Sequence, residues 1–271
     1  MDREPNAAPL LAISGLSVEL QGRSRGRRIL DAIDLNVQPA DILAIVGESG
    51  SGKSITVSAV LGLLPENVMR ISAGSIRFDA VDMLSSREGR RRVLRKDIAF
   101  ITQNSLTSLN PVHTVGSQLS DMIVFRNGVS RRQALIDAGE WLAKVGIGDV
   151  DRVLSSYPHN LSGGMRQRVI IAMAISSRPR LLIADEPTTA LDTITQLQVL
   201  NLLHDINREF GTAIIVITHD FGVVSHLSSR VAVMHHGRIV ETGPTRSVLE
   251  APKEAYSRSL IAAVPQLELA S

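Results

Sequence analysis

The sequence predicts an α/β fold: a mainly parallel sheet with helices between its strands, an antiparallel β flap on its N-terminal side and an inserted helical subdomain. Three observations predict it. Short β-like apolar runs alternate with helical patterns, as strands and crossovers of an open α/β sheet do. Two runs, Leu181–Ala184 and Ala213–Thr218, are almost continuously apolar, as in strands covered on both faces. From about Ser105 to Leu161 the β signal vanishes and amphipathic helix takes over.

The flap is read from Leu11–Leu20 and Ile29–Val37, two strand-like pieces split by the turn-rich QGRSRGRR. The sheet is read from Ile42–Val46, Ile98–Thr102, Leu181–Ala184, Ala213–Thr218 and Val231–Met234, separated by helices at Lys53–Leu64, Met165–Ser176 and Ile194–Glu209. The basic run Arg87–Lys96, with Leu84, Val93 and Leu94 at helix-compatible positions, reads as a solvated helix face, with anionic lipid headgroups as the alternative. In the helical insertion, at about 105–165, Arg131–Val145 repeats apolar residues every three or four positions. Trp141 lies on that apolar face, which favours core packing over stacking on a base. The expectation is one domain over 11–265 with flexible termini at 1–10 and 266–271, since no internal repeat or low-complexity linker divides the chain.

At 271 residues the chain is long enough to bury a core without disulfides or metals. It has no cysteine, which excludes disulfide frameworks, thiolate metal sites, iron–sulfur clusters and cysteine nucleophiles. The pI near 9.3 is no nucleic-acid signal, because the formal charge is only +2 and most of the basic residues are arginines. No apolar stretch reaches the ~18 residues of a membrane span. MDREPNAAPL lacks the apolar core of a signal peptide, so any membrane role is expected to be peripheral.

The chemistry begins at Gly47-Glu48-Ser49-Gly50-Ser51-Gly52-Lys53-Ser54, which follows the strand ILAIV and opens a helix. That context supports the GxxxxGK[ST] pattern. The glycines let the backbone wrap phosphates closely, successive N–H groups and the positive helix end face the β-phosphate, Lys53 reaches the β and γ oxygens, and the Ser54 hydroxyl suits Mg²⁺. Taken alone, this loop leaves kinases, GTPases and motor ATPases open. A carboxylate for the metal is supplied by Asp185 at the end of LLIADE, and Glu186 beside it is placed to polarise an attacking water. Ser162, Gly163 and Gly164 precede a further helix and form a second N-terminus suited to phosphate. One nucleotide needs one such cradle, so two in one chain suggest ATP shared between subunits.

Here the chain resembles the ATP-binding subunits of ABC transporters, over about Leu11–Pro265 and with the motifs in that family's order. LSGGM from Leu161 is similar to the family signature, LLIADE to its second nucleotide motif, and Ala190-Leu191-Asp192 to the loop that contacts a partner subunit. By that resemblance Gln103 senses Mg²⁺ and γ-phosphate while touching the membrane subunits, and His219, after the buried strand AIIVIT, orients γ-phosphate and water. The resemblance implies the P-loop ABC ATPase fold, ATP and Mg²⁺. Two positions depart from the pattern: Leu20 stands where many members stack adenine on an aromatic residue, and Met165 stands where glutamine is usual.

Within that family the chain resembles the oligopeptide, dipeptide and nickel importers. Thr107-Ser-Leu-Asn-Pro-Val112, Tyr157-Pro158 before the signature, and GRIVETGP leading to Ala255-Tyr-Ser-Arg-Ser-Leu-Ile-Ala-Ala-Val-Pro265 carry that match. Many members continue into a cysteine cluster; none is expected here, and no iron–sulfur cofactor is carried over. His235-His236, adjacent in a turn, are expected to point to different faces and not to hold metal. The implied partners are a second, related but different ABC ATPase subunit, two integral membrane permeases and an extracytoplasmic solute-binding protein, with no nucleic acid. The implied location is the cytoplasmic face of the inner membrane. The competing readings are a soluble ABC ATPase outside transport, which usually carries tandem cassettes or coiled-coil insertions, and a P-loop kinase, which leaves LSGGM and Asp192 unexplained.

Overall fold

The computed structural model describes residues 8–21, 27–103, 108–189 and 191–263. The turn at 22–26, Thr107, Ala190, Pro265 and the extreme termini, all singled out above, lie outside the described residues. The chain forms two compact units, Met1–Ser86 with Val216–Ser271, and Arg87–Ile215.

In the first unit, β1 (Leu11–Leu20) pairs antiparallel with β2 (Arg28–Val37), as the flap reading requires. The flap is larger than the sequence indicated. β1 also pairs antiparallel with β4 (Met69–Phe78), which pairs with β5 (Val81–Asp82), giving the order β2-β1-β4-β5. β4 is mostly exposed over Met69–Ser75, so it lacks the apolar run that marks a covered strand. Apolar alternation puts Ile13, Val18, Ile33, Ile76 and Phe78 into the core.

β3 (Ile42–Val46) is buried at every position and runs parallel to β9 (Arg230–His235), with Val46 opposite Val233. β9 turns back antiparallel into β10 (Arg238–Pro244). Helix α1 (Lys53–Leu61) follows β3 and stops short of the expected Leu64, because Gly62 adopts the left-handed conformation that caps a helix C-terminus.

In the second unit, β6 (Ile98–Ile101) pairs parallel with β7 (Leu181–Asp185), which is buried throughout. Helix α2 (Arg87–Lys96) buries only Val93, in keeping with a solvated face. Leu84 falls outside that helix: the Asp82 carboxylate accepts its N–H at 2.8 Å and holds the chain in a turn. The insertion contains helices α3 (Val115–Asn127), α4 (Arg131–Lys144) and α5 (Val150–Ser155), and no strand among its described residues. Thr114 and Ser130 cap the first two by accepting the N–H groups of Ser117 and Gln133. Trp141 is 7% exposed with its ring centroid 5.7 Å from that of Phe210, so it is a core residue.

Two longer helices complete this unit. Helix α6 (Gly163–Ile175) starts two residues before the expected Met165, because Ser162 caps it. Helix α7 (Thr193–Phe210) presents Val199, Leu200, Leu203 and Ile206 to the core. β8 (Ala213–Ile217) then leaves this unit, and the chain continues into α8 (Phe221–Leu227), α9 (Thr245–Glu250) and α10 (Ala255–Ala262) of the first.

Candidate functional site

The loop Gly47–Ser54 joins β3 to α1 and is closed on itself by its own lysine. Lys53 is 9% exposed, and its ammonium donates to the carbonyls of Gly47 at 2.7 Å and Glu48 at 2.9 Å and to Ser51 Oγ at 3.4 Å. The Ser51 N–H also donates to the Glu48 carbonyl. This turn curls the backbone around the ammonium and places a full positive charge at the helix N-terminus, the arrangement that attracts phosphate. Gly47 has φ 152°, and a Cβ there would lie 2.1 Å from the Met234 carbonyl oxygen, so only glycine fits against β9. Ser54, the second residue of α1, is exposed.

His219 lies in the same unit, exposed, between β8 and Asp220, the N-cap of α8. The Asp220 N–H donates to the Thr218 hydroxyl at 3.0 Å, and the Asp220 carboxylate accepts from Gly222 N–H at 2.7 Å. These bonds hold the short connection that carries the histidine.

The second unit carries two groups of the expected residues. Asp185 ends β7 and is 8% exposed. Glu186 follows with φ 47°, a conformation uncommon for a side chain larger than glycine and one that recurs at functional sites. Its Oε2 accepts from Gln103 Nε2 at 2.9 Å and from the Thr189 hydroxyl at 2.9 Å. Gln103 and Glu186, far apart in sequence, therefore form one hydrogen-bonded pair, and Thr189 is a third member that the sequence did not single out. Gln103 and Asp185 also line a cavity of about 640 Å³ whose other walls include Phe100, Met122 and Met173.

In the other group, Ser162 Oγ accepts the Met165 N–H at 3.3 Å, so the serine is the N-cap of α6 and both glycines lie in its first turn. A Cβ on Gly164 would meet Thr195 Cγ2 at 2.5 Å. Thr195 belongs to the capping turn of α7, where the Asp192 carboxylate accepts its N–H at 3.0 Å and its hydroxyl at 2.7 Å. The Thr195 hydroxyl, and then its N–H, hold the Asp192 carboxyl below the ordinary aspartate range. The glycine-rich segment and Asp192 are thus packed side by side through one threonine methyl.

Residues 30–189 match the family described as ABC transporter, a span that covers the loop, Gln103, the Ser162 segment and the Asp185-Glu186 pair. The chain belongs to the ABC transporter family. The peptidoglycan transport ATP-binding protein YejF of Agrobacterium fabrum is 43% identical over 267 residues, which are 98% of this ABC chain and 49% of that protein. The glutathione import ATP-binding protein GsiA of Salmonella typhimurium is 42% identical over 270 residues, 97% of this chain and 43% of that one. The chain thus spans about half the length of these two relatives. Among solved structures, the ATP-binding cassette MJ0796, captured as a post-hydrolysis dimer with ADP and Pi, superposes with a TM-score of 0.75 at 26% identity, covering 87% of this chain and 99% of that one.

The ABC chain also surrounds its phosphate loop with residues that the sequence did not connect to it. Gly237 N–H donates to the Ser51 carbonyl at 2.8 Å, and Glu48 N–H donates to the Tyr256 hydroxyl at 3.1 Å. His235 and His236 do not diverge as expected: their ring centroids are 4.0 Å apart, because φ of 45° at His236 folds the second ring against the first. His235 also stacks on Tyr256, with centroids 3.7 Å apart and planes 13° from parallel. No group of metal-binding residues forms among the described His, Asp and Glu side chains, and no described helix is long and apolar enough to cross a membrane.

Proposed function

We propose that this chain is the ATP-binding and ATP-hydrolysing subunit of an ABC importer and that hydrolysis drives uptake of a peptide-class solute. The observation that carries the reading is the phosphate loop curled around the Lys53 ammonium in a chain that also holds the Gln103–Glu186 pair and the Ser162–Gly164 helix start. A kinase needs the first of these and leaves the last without a role. The names of the two relatives, one for peptidoglycan transport and one for glutathione import, support a solute bearing peptide bonds.

In this reading Gly47, Glu48, Ser49, Gly50, Ser51, Gly52, Lys53 and Ser54 cradle the phosphates of ATP. Glu186, oriented by Gln103 and Thr189, accepts the proton of the attacking water, and His219 orients the γ-phosphate. Ser162, Gly163 and Gly164, with Asp192, serve the nucleotide of a second cassette. Ser54, Gln103 and Asp185 are the Mg²⁺ residues. A hydroxyl, an amide and a carboxylate are all hard oxygen donors, and so few protein ligands fit an ion that keeps water and phosphate oxygens around it. Bound Mg²⁺ would neutralise charge on the β- and γ-phosphates.

The partners we assign are a second ABC ATPase subunit, different from this one, two membrane permeases and an extracytoplasmic solute-binding protein. The location is the cytoplasmic face of the inner membrane, held peripherally. Residues 11–265 form one nucleotide-binding domain with its helical subdomain at about 105–165. The cavity walled by Gln103, Met122 and Met173 is the part of this region suited to an apolar segment of a permease.

Replacing Glu186 by Gln tests the reading. It keeps the size and the hydrogen bonding of the side chain and removes the proton acceptor. Turnover of ATP falls by about 10²- to 10⁴-fold while ATP binding persists. Turnover close to wild type removes Glu186 from its role.

A further inference from the structure

We infer that Tyr256, on the C-terminal helix α10, is a positioning residue for nucleotide binding, its hydroxyl fixing the Glu48 peptide of the phosphate loop. The inference rests on the proposed function and adds a residue 208 positions away from the loop it serves.

The Glu48 peptide groups are held on both sides. The Glu48 carbonyl accepts from Lys53 Nζ at 2.9 Å and from Ser51 N–H at 3.2 Å, and these contacts curl the loop around the ammonium. The Glu48 N–H points out of that curl and donates to Tyr256 Oη at 3.1 Å. The Glu48 N–H is exposed and water could satisfy it, so what the tyrosine hydroxyl adds is a fixed partner that holds the loop in a single conformation. Nucleotide binding then meets a loop already shaped for it, and less affinity is spent on ordering.

Tyr256 is itself fixed from two directions. Its ring stacks on His235, the last residue of β9, whose neighbour Met234 lies against Gly47 at the start of the loop. The helix that carries it is tied down at its start, where the Glu241 carboxylate accepts the N–H groups of Lys253 at 2.8 Å and Glu254 at 3.2 Å. The strand under the loop therefore also carries the ring that orients the tyrosine. The His235 ring is thereby committed to the stack.

Tyr256→Phe keeps the ring on His235 and removes only the hydroxyl. We expect the Kd for ATP, and the KM for its hydrolysis, to rise by about two- to ten-fold, the range for loss of one neutral hydrogen bond, with kcat unchanged and only a small fall in the melting temperature of the ATP-free protein, because this bond is exposed. Tyr256→Ala, which also removes the stack, raises the Kd further. Wild-type affinity in the Phe variant overturns the inference, and so does a loss of affinity matched by a large fall in melting temperature. Wild-type protein that binds no ATP contradicts the proposed function instead, so the two failures are told apart.

Discussion

Glu186 follows a buried strand, and one of its carboxylate oxygens accepts from two donors, Gln103 Nε2 and the Thr189 hydroxyl. Its neighbour Asp185 and the buried strand before it are contiguous, so a metal-side carboxylate followed by a candidate base can be read directly from LLIADE. The hydrogen bonds from Gln103 and Thr189 that orient it cannot, because they depend on left-handed backbone at Glu186 and on a strand pairing between β6 and β7. Gly164 offers a sharper test at the same scale. A methyl there would sit 2.5 Å from Thr195 Cγ2, an overpacking clash. Gly164→Ala therefore lowers stability by about 1–3 kcal/mol in denaturant unfolding. Adding Thr195→Ser, which deletes the offending methyl and keeps the hydroxyl for Asp192, recovers most of the loss. A double variant no more stable than Gly164→Ala shows that the clash is not the cause.

Among elements, buried strands and long helices were legible because their signals are local: ILAIV, LLIA and AIIVI are apolar at every position, and α4 and α7 repeat with helical period. β4 was not, because its exposed half earns its place through main-chain pairing with β1 rather than through side-chain pattern. The segment of helix α10 carries part of the importer resemblance, yet its attachment depends on Glu241, a dozen residues upstream. Burial pushes that carboxyl up, and hydrogen bonds led by the Lys253 N–H together outweigh it, leaving the pKa below the ordinary glutamate value. A lowered folded-state pKa means that the contribution is present above the unfolded value of about 4.3 and is lost as pH falls from there through the folded value. Hydrogen exchange in α10 should accelerate in that acid window relative to the intrinsic rate. Glu241→Gln should weaken the helix attachment already at neutral pH and remove that acid step. A wild-type step that persists in Glu241→Gln assigns it to another group.

For the molecule as a whole, the phosphate loop and the Ser162–Gly164 helix start are two glycine-rich helix N-termini, which the proposed function assigns to phosphate in a chain that needs one cradle for its own ATP. The loop was legible because its eight residues are contiguous. Its support was not, since Gly237 and Tyr256 reach it from the far end of the chain. In the proposed function each loop is half of a site, and the other half, a glycine-rich helix start, comes from a second cassette. The most direct test is the rate of ATP hydrolysis per molecule across a wide range of equimolar concentrations of this chain and its proposed partner subunit, with Glu186→Gln as the inactive control. A per-molecule rate that climbs with concentration as the two cassettes pair is expected, and a rate that stays constant down to dilutions where both chains are monomeric would contradict the shared site.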